Sequence, residues 1–144
     1  MKILVIHGPN LQLLGRRQPT IYGKADLTTI NRDLTRFAAT RKATLTITQS
    51  NHEGQIVELI GSAKGRFDGL LINPAAYTHT SVAIRDAIEA AGIPAVEVHL
   101  SAVDEREDWR RVSVVRDLCA GTVQGKGADG YREALEILKR ELDR

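Results

Sequence analysis

Four side chains in this sequence form two pairs suited to proton transfer: Arg17 with Tyr22, and Glu97 with His99. An ordinary tyrosine hydroxyl, with a pKa of about 10, is a poor base at neutral pH. Lowering that value by about three pK units takes roughly 4 kcal/mol, which one guanidinium about 4 Å away supplies at an effective dielectric near 20. Arg17 beside Tyr22 is therefore a candidate base pair of residues, although two polar residues of one loop can equally face solvent. In Val96-Glu97-Val98-His99, strand alternation puts Glu97 and His99 on the same side. A carboxylate beside an imidazole favours its protonated form and holds its orientation, which suits a general acid. His7 has no such neighbour and reads as structural or supporting.

These residues need elements that bring them together. Three apolar runs, Ile3 to Ile6, Gly69 to Ile72 and Ala95 to Val98, stop abruptly on His7-Gly8-Pro9-Asn10, on Asn73-Pro74 through Thr80, and on His99-Leu100-Ser101. As buried parallel strands they gather His, Asn and Ser side chains at one rim, where open α/β sheets place their ligands. Strand-like runs also occur at 2–7, 44–49, 67–72 and 95–99, with weaker candidates at 112–115 and 121–124. Helical stripes alternate with them: Leu27, Ile30, Leu34, Phe37 and Ala38 after an Asp26 cap; Ile56, Leu59, Ile60 and Ala63 in a helix from about Gln55 to Lys64; Ile84, Ala87, Ile88 and Ala91 in a helix that begins near Thr80 or Ser81 and stops at Gly92 and Pro94; Tyr131, Leu135, Leu138 and Leu142. The charged stretch 104–111 around Trp109 reads as a short helix or turn. The pattern predicts a flavodoxin-like three-layer α/β fold, a five-stranded parallel sheet flanked by helices, in one domain over residues 1–144. Residues 8–25 join the first strand to the first long helix, far longer than the two to six residues usual for such loops. A segment of that length, with Arg17 and Tyr22 in it, is expected to fold over a ligand as a lid.

Composition narrows the partners. The 144 residues carry 20 Lys and Arg against 18 Asp and Glu, a net charge of +2, so there is no strong polyanion footprint and no nucleic-acid partner is expected. Local basic pairs at Arg16-Arg17 and Arg110-Arg111 suit an anionic small molecule better. No run approaches the roughly 18 apolar residues of a membrane span, and the apolar start is too short for a secretory leader, so a cytoplasmic enzyme is expected. The single Cys119 sits between Leu118 and Ala120 and reads as a small buried hydrophobe. Zinc held by His7, His79 and His99 matches no local ligand spacing, and Gly125-Lys126-Gly127 lacks the ending of a phosphate-binding loop. A non-catalytic module of the same fold, binding a nucleotide or a protein, is the competing reading.

Beyond these local signals, long motifs recur together. Gly8-Pro9-Asn10-Leu11 with Leu14-Gly15-Arg16-Arg17 and Pro19 to Gly23, then Gln49-Ser50-Asn51-His52-Glu53-Gly54, Asn73-Pro74 with Tyr77 to Ala83, Val96 to Ser101, Arg106-Glu107 with Arg110 and Ser113, and Gly125, Gly127, Gly130 and Tyr131 span nearly the whole chain. In these motifs the sequence resembles the type II 3-dehydroquinate dehydratases. The resemblance implies dehydration of 3-dehydroquinate to 3-dehydroshikimate through an enolate, without metal, organic cofactor or Schiff base, in the shikimate or quinate pathway. It implies Tyr22 as base beside Arg17, Asn10 holding a water that stabilises the enolate, and His99 as general acid positioned by Glu97. It implies substrate contacts from Asn73, His79, Arg110, Leu100 and Ser101, from Asp86 toward an adjoining subunit's site, and assembly into dodecamers built from trimers. Gln12 stands where the family usually has Asn, Ala75 where Gly is common, Ala102 where Asn follows His-x-Ser, and Trp109 where Phe is usual. Ala102 and Trp109 are expected to border the substrate's carboxylate and hydroxyl pockets.

Overall fold

The computed structural model describes residues 1–16 and 18–144. In chain order its main elements are β1 (Lys2–His7), α1 (Pro19–Tyr22), α2 (Leu27–Thr40), β2 (Thr44–Gln49), α3 (Glu53–Gly61), β3 (Gly69–Asn73), α4 (Val82–Ala91), β4 (Ala95–Val98), β5 (Gly121–Val123) and α5 (Gly130–Leu142), with short 3-10 turns between them. The strands form one parallel sheet in the order β2-β1-β3-β4-β5. This is the flavodoxin-like order anticipated from the alternation of strands and helices.

Because neighbouring strand side chains point to opposite faces, the sheet sorts its apolar residues into two cores. Ile3, Val5, Leu71, Val96, Val98 and Val123 pack with Ile30, Leu34 and Ala38 of α2 and with Tyr131, Leu135 and Leu138 of α5. Leu4, Ile6, Leu70, Ile72 and Ala95 pack with Ile56 and Ile60 of α3 and with Ile84, Ala87, Ile88 and Ala91 of α4. The helix ends follow local chemistry. Asp26 accepts the Thr29 N–H at 2.8 Å to start α2, Ser81 accepts the Ile84 N–H at 3.0 Å to start α4, and Gly92 ends α4 at a left-handed φ of 63°.

Three stretches differ from the sequence reading. The third strand begins at Gly69 rather than Phe67, since the Phe67 N–H still closes a turn onto Ala63 and Asp68 turns its carboxylate to the Lys2 N–H at 2.7 Å. The second long helix begins at Glu53, ahead of the expected Gln55. Residues 112–115 form no strand: the Val114 N–H donates to the Thr78 carbonyl, and the Ser113 hydroxyl accepts the Val115 and Arg116 N–H groups. A side-chain hydroxyl that satisfies local backbone donors in this way competes with ladder pairing. Stretch 104–111 holds two 3-10 turns, Val103–Glu105 and Asp108–Arg110.

The β1–β3 pairing ends at His7 opposite Asn73, and the Gly8 N–H extends it by one bond to the Asn73 carbonyl at 2.7 Å. A Cβ on Gly8 would lie 2.5 Å from the Pro74 carbonyl oxygen and 2.9 Å from that of Asn73, both backbone atoms that cannot swing aside. Beyond Gly8, Leu11 and Leu14 are buried in the α2–α5 core and anchor the first half of the long connection. Gly8→Ala is therefore expected to cost about 1–3 kcal/mol of stability through overpacking. Urea unfolding checks this, and an unchanged midpoint would show that Pro74 yields without strain.

Candidate active site

β1 lies between β2 and β3, so successive connections leave it toward opposite edges of the sheet. The crevice at such a switch point is where α/β sheets bind ligands. Here a cleft of about 150 Å³ opens on the carboxyl ends of β1, β3 and β4, lined among others by Asn10, Tyr22, Asn73, His79, His99, Leu100, Ser101, Arg106 and Arg110.

One wall is built around a buried carboxylate. Glu97 has no exposed surface, and its Oε1 lies 2.6 Å from His99 Nε2 and 2.7 Å from the Thr78 hydroxyl that donates to it. Ser113 Oγ lies 3.0 Å from both carboxylate oxygens. Burial alone opposes ionisation of Glu97, but the hydrogen bond and charge of His99, with the Thr78 and Ser113 hydroxyls, outweigh it and hold the carboxyl below its ordinary range. With Nε2 committed to Glu97, His99 leaves Nδ1 for the cleft.

The opposite wall is basic. Tyr22, at the end of α1, receives a hydrogen bond from Arg106 Nη1 at 2.9 Å, and the Arg106 guanidinium lies 5.4 Å from the ring centre. Arg106 also reaches Ser101 Oγ at 3.5 Å. Arg110 is clamped by Glu107 at 2.8 Å and lies 4.2 Å over the Trp109 ring. His79 donates from Nδ1 to the Val112 carbonyl at 2.7 Å, because a carbonyl can only accept, and this leaves Nε2 for a ligand.

The floor carries two non-glycine residues in the left-handed region. Asn10 has φ 70°, and its N–H is held by Asn51 Oδ1 at 2.9 Å. Gln49 Nε2 ties the Gly8 carbonyl, Gln12 Oε1 and Asn51 Oδ1 together within 3.2 Å, so Gln12 braces this turn. Ala75 has φ 53°, a conformation that costs a side chain about 1–2 kcal/mol and that glycine takes freely.

A model of the Dehydroquinase class II family matches residues 1–139. The chain belongs to that family. A "3-dehydroquinate dehydratase" of Geotalea daltonii is 54% identical over 138 residues, 96% of each chain. A "Catabolic 3-dehydroquinase 1" of Aspergillus terreus is 53% identical over 134 residues, 93% of this chain and 88% of that one. The crystal structure of a type II dehydroquinase from Butyrivibrio crossotus matches with a TM-score of 0.93 at 42% identity, over 96% of this chain and 97% of that one.

Within this dehydroquinase fold, Tyr22, His99, Asn10, Asn73, His79, Leu100, Ser101 and Arg110 line one cleft, and Glu97 stands directly behind His99. Asp86 is exposed on α4 and is not among the lining residues. Arg17 lies outside the described residues. Ala102 does not border the cleft as expected: a Cβ on Gly125 would stand 3.0 Å from that of Ala102, which turns toward the β5 side. Trp109 is also outside the lining, is 58% exposed, and meets the cleft through His79, at a ring-centre distance of 6.0 Å, and Arg110. The roles of Arg106 and Thr78 were not assigned from sequence. Only the recurrence of Arg106-Glu107 in a family motif pointed toward the former.

His7, which had no partner in sequence, is fully buried between Tyr131 Oη at 3.0 Å and Asn31 Oδ1 at 2.8 Å. Burial lowers its pKa from 6.5 to about 4, against the opposing hydrogen bond to Asn31. The unfolded chain thus binds a proton between these values that the folded protein refuses. The resulting stabilisation, about 3 kcal/mol, is complete above pH 6.5 and is lost as pH falls through that value toward 4. Between about pH 7.5 and about pH 4.5, the wild type is expected to lose about 2–3 kcal/mol more stability than His7→Gln, which does not titrate. Denaturant unfolding at both pH values checks this, and equal losses would count against it.

Proposed function

We propose that the protein dehydrates 3-dehydroquinate to 3-dehydroshikimate and water, with Tyr22 as base and His99 as general acid. The observation that carries this reading is the convergence, in one cleft, of a tyrosine hydroxyl hydrogen-bonded by a guanidinium and a histidine backed by a buried carboxylate. Arg106 donates to the Tyr22 oxygen at 2.9 Å and so orients it in the cleft, and Arg17 assists Tyr22 in the same role by resemblance to the family. Tyr22 removes a proton from the carbon α to the ketone, and the C–H electron pair enters the carbonyl as an enolate. Asn10 holds the water that stabilises this oxyanion. The enolate then re-forms the ketone as the bond to the C1 hydroxyl breaks. His99 delivers its proton to the departing hydroxyl, which leaves as water, and Glu97 stabilises the imidazolium before that transfer.

In the same reading Arg110, Ser101 and the Leu100-Ser101 backbone amides bind the substrate's carboxylate and hydroxyls, with Asn73 and His79 completing the ring of contacts. Asp86 serves the site of an adjoining subunit in a dodecamer built from trimers. No metal or organic cofactor takes part. The enzyme works in the cytoplasm, in the shikimate pathway or in quinate breakdown, which share this step.

The test is the ultraviolet absorbance of the conjugated enone formed when purified protein meets 3-dehydroquinate, with chelated and borohydride-treated samples alongside. A rise that survives both treatments is expected. Tyr22→Phe, Arg17→Ala and Arg106→Ala are each expected to lower kcat by about 10²–10⁴-fold with unchanged circular dichroism. Near-normal turnover of Tyr22→Phe would remove it as the base.

A further inference from the structure

Asn73 faces the cleft from the end of β3, and from behind it is held by buried polar groups that no packing requirement explains. The Ala75 backbone N–H lies 3.0 Å from one amide atom of Asn73. A backbone N–H can only donate, so that atom is Oδ1, and Nδ2 must face Tyr131 Oη at 3.1 Å. Nδ2 donates there, which makes the Tyr131 oxygen an acceptor and sends its own proton to His7 Nδ1 at 3.0 Å. His7 Nδ1 is then bare, and Nε2 carries the ring proton and donates to Asn31 Oδ1 at 2.8 Å. The sense of every bond follows from a single irreversible donor, the Ala75 N–H.

His7, Tyr131 and Asn73 are exposed by 0%, 1% and 2%, so a reversed member would leave a buried polar atom unpaired. Neither His7 nor Tyr131 lines the cleft. Apolar side chains of similar size would fill the same volume without the desolvation cost of three polar groups. What the polar chain adds is direction: it holds the Asn73 amide at both ends.

We propose that His7 and Tyr131 are positioning residues of this site, an acceptor-polarised relay that presents the second Nδ2 proton of Asn73 to an acceptor oxygen of the substrate. The proposal rests on the dehydratase reading above for the identity of that substrate. It assigns His7 the Nε2–H tautomer and makes Tyr131 act only through Asn73.

Two measurements test it: the tautomer of His7 by ¹⁵N NMR of the imidazole, and steady-state kinetics with 3-dehydroquinate for Tyr131→Phe, His7→Gln and His7→Leu, each with and without Asn73→Ala. A protonated Nε2 and an unprotonated Nδ1 are expected at neutral pH. Tyr131→Phe is expected to raise KM by about tenfold, the loss of one ligand hydrogen bond, with kcat changed by less than about threefold. In the Asn73→Ala background the same substitution is expected to move KM by less than about twofold. His7→Gln, which keeps an acceptor and a donor, is expected to restore the KM lost in His7→Leu. An Nδ1–H tautomer, or an equal KM effect in both backgrounds, overturns the proposal. Should Tyr131→Phe fail to fold, the His7 pair and the tautomer decide. Absence of turnover in the wild type would overturn the dehydratase reading and the substrate half of this proposal with it, whereas the wrong tautomer in an active enzyme overturns this proposal alone.

Discussion

The pairing of β1 with β3 is the constraint on which the site depends. The ladder ends with His7 opposite Asn73 and is extended by the Gly8 N–H to the Asn73 carbonyl. Only a residue without Cβ can approach Pro74 so closely, and that approach lets the two strand ends stay paired to the rim. From there one segment enters the turn with left-handed Asn10, and the other enters the turn with left-handed Ala75. The cleft is the space they leave.

Two histidines at strand ends acquire opposite character from the faces they occupy. His99 follows β4 on the α4 side, where its Nε2 meets an ionised Glu97 held by Thr78 and Ser113. His7 ends β1 on the other face, with an amide oxygen and a phenol as its neighbours, and burial keeps it neutral. One imidazole thereby faces a carboxylate through Nε2, and the other faces a phenol and an amide oxygen. The two differ by the parity of their position on the sheet and by their neighbours: α2 and α5 supply those of His7, whereas β4 itself, the turn at Thr78 and the loop at Ser113 supply those of His99.

The departures from the family's usual residues fall in different physical places. Gln12 is absorbed by the amide cluster of Gln49 and Asn51 beneath Asn10. Ala75 holds a backbone conformation that glycine takes without strain, so this chain keeps the turn at a local cost. Ala102 packs toward Gly125, away from the cleft. Trp109 reaches the site through its contacts with His79 and Arg110.

Much of the fold was legible because it is written in local, periodic signals. Alternation of strand and helix, the caps at Asp26 and Ser81, and the two-residue period that pairs Glu97 with His99 depend on residues close in sequence. The weaker stretch 112–115 misled because β-branched residues there meet a serine whose hydroxyl takes the local backbone donors. Sequence by itself determined the sheet, the rim where polar residues gather, and the residue types available for proton transfer. Tertiary structure alone decided that Arg106 reaches Tyr22 across 84 positions, that Thr78 and Ser113 close around Glu97, and that His7 meets Tyr131 across 124. Those contacts join elements whose separation along the chain carries no periodic signal, and they exist only once the helices settle on their faces of the sheet.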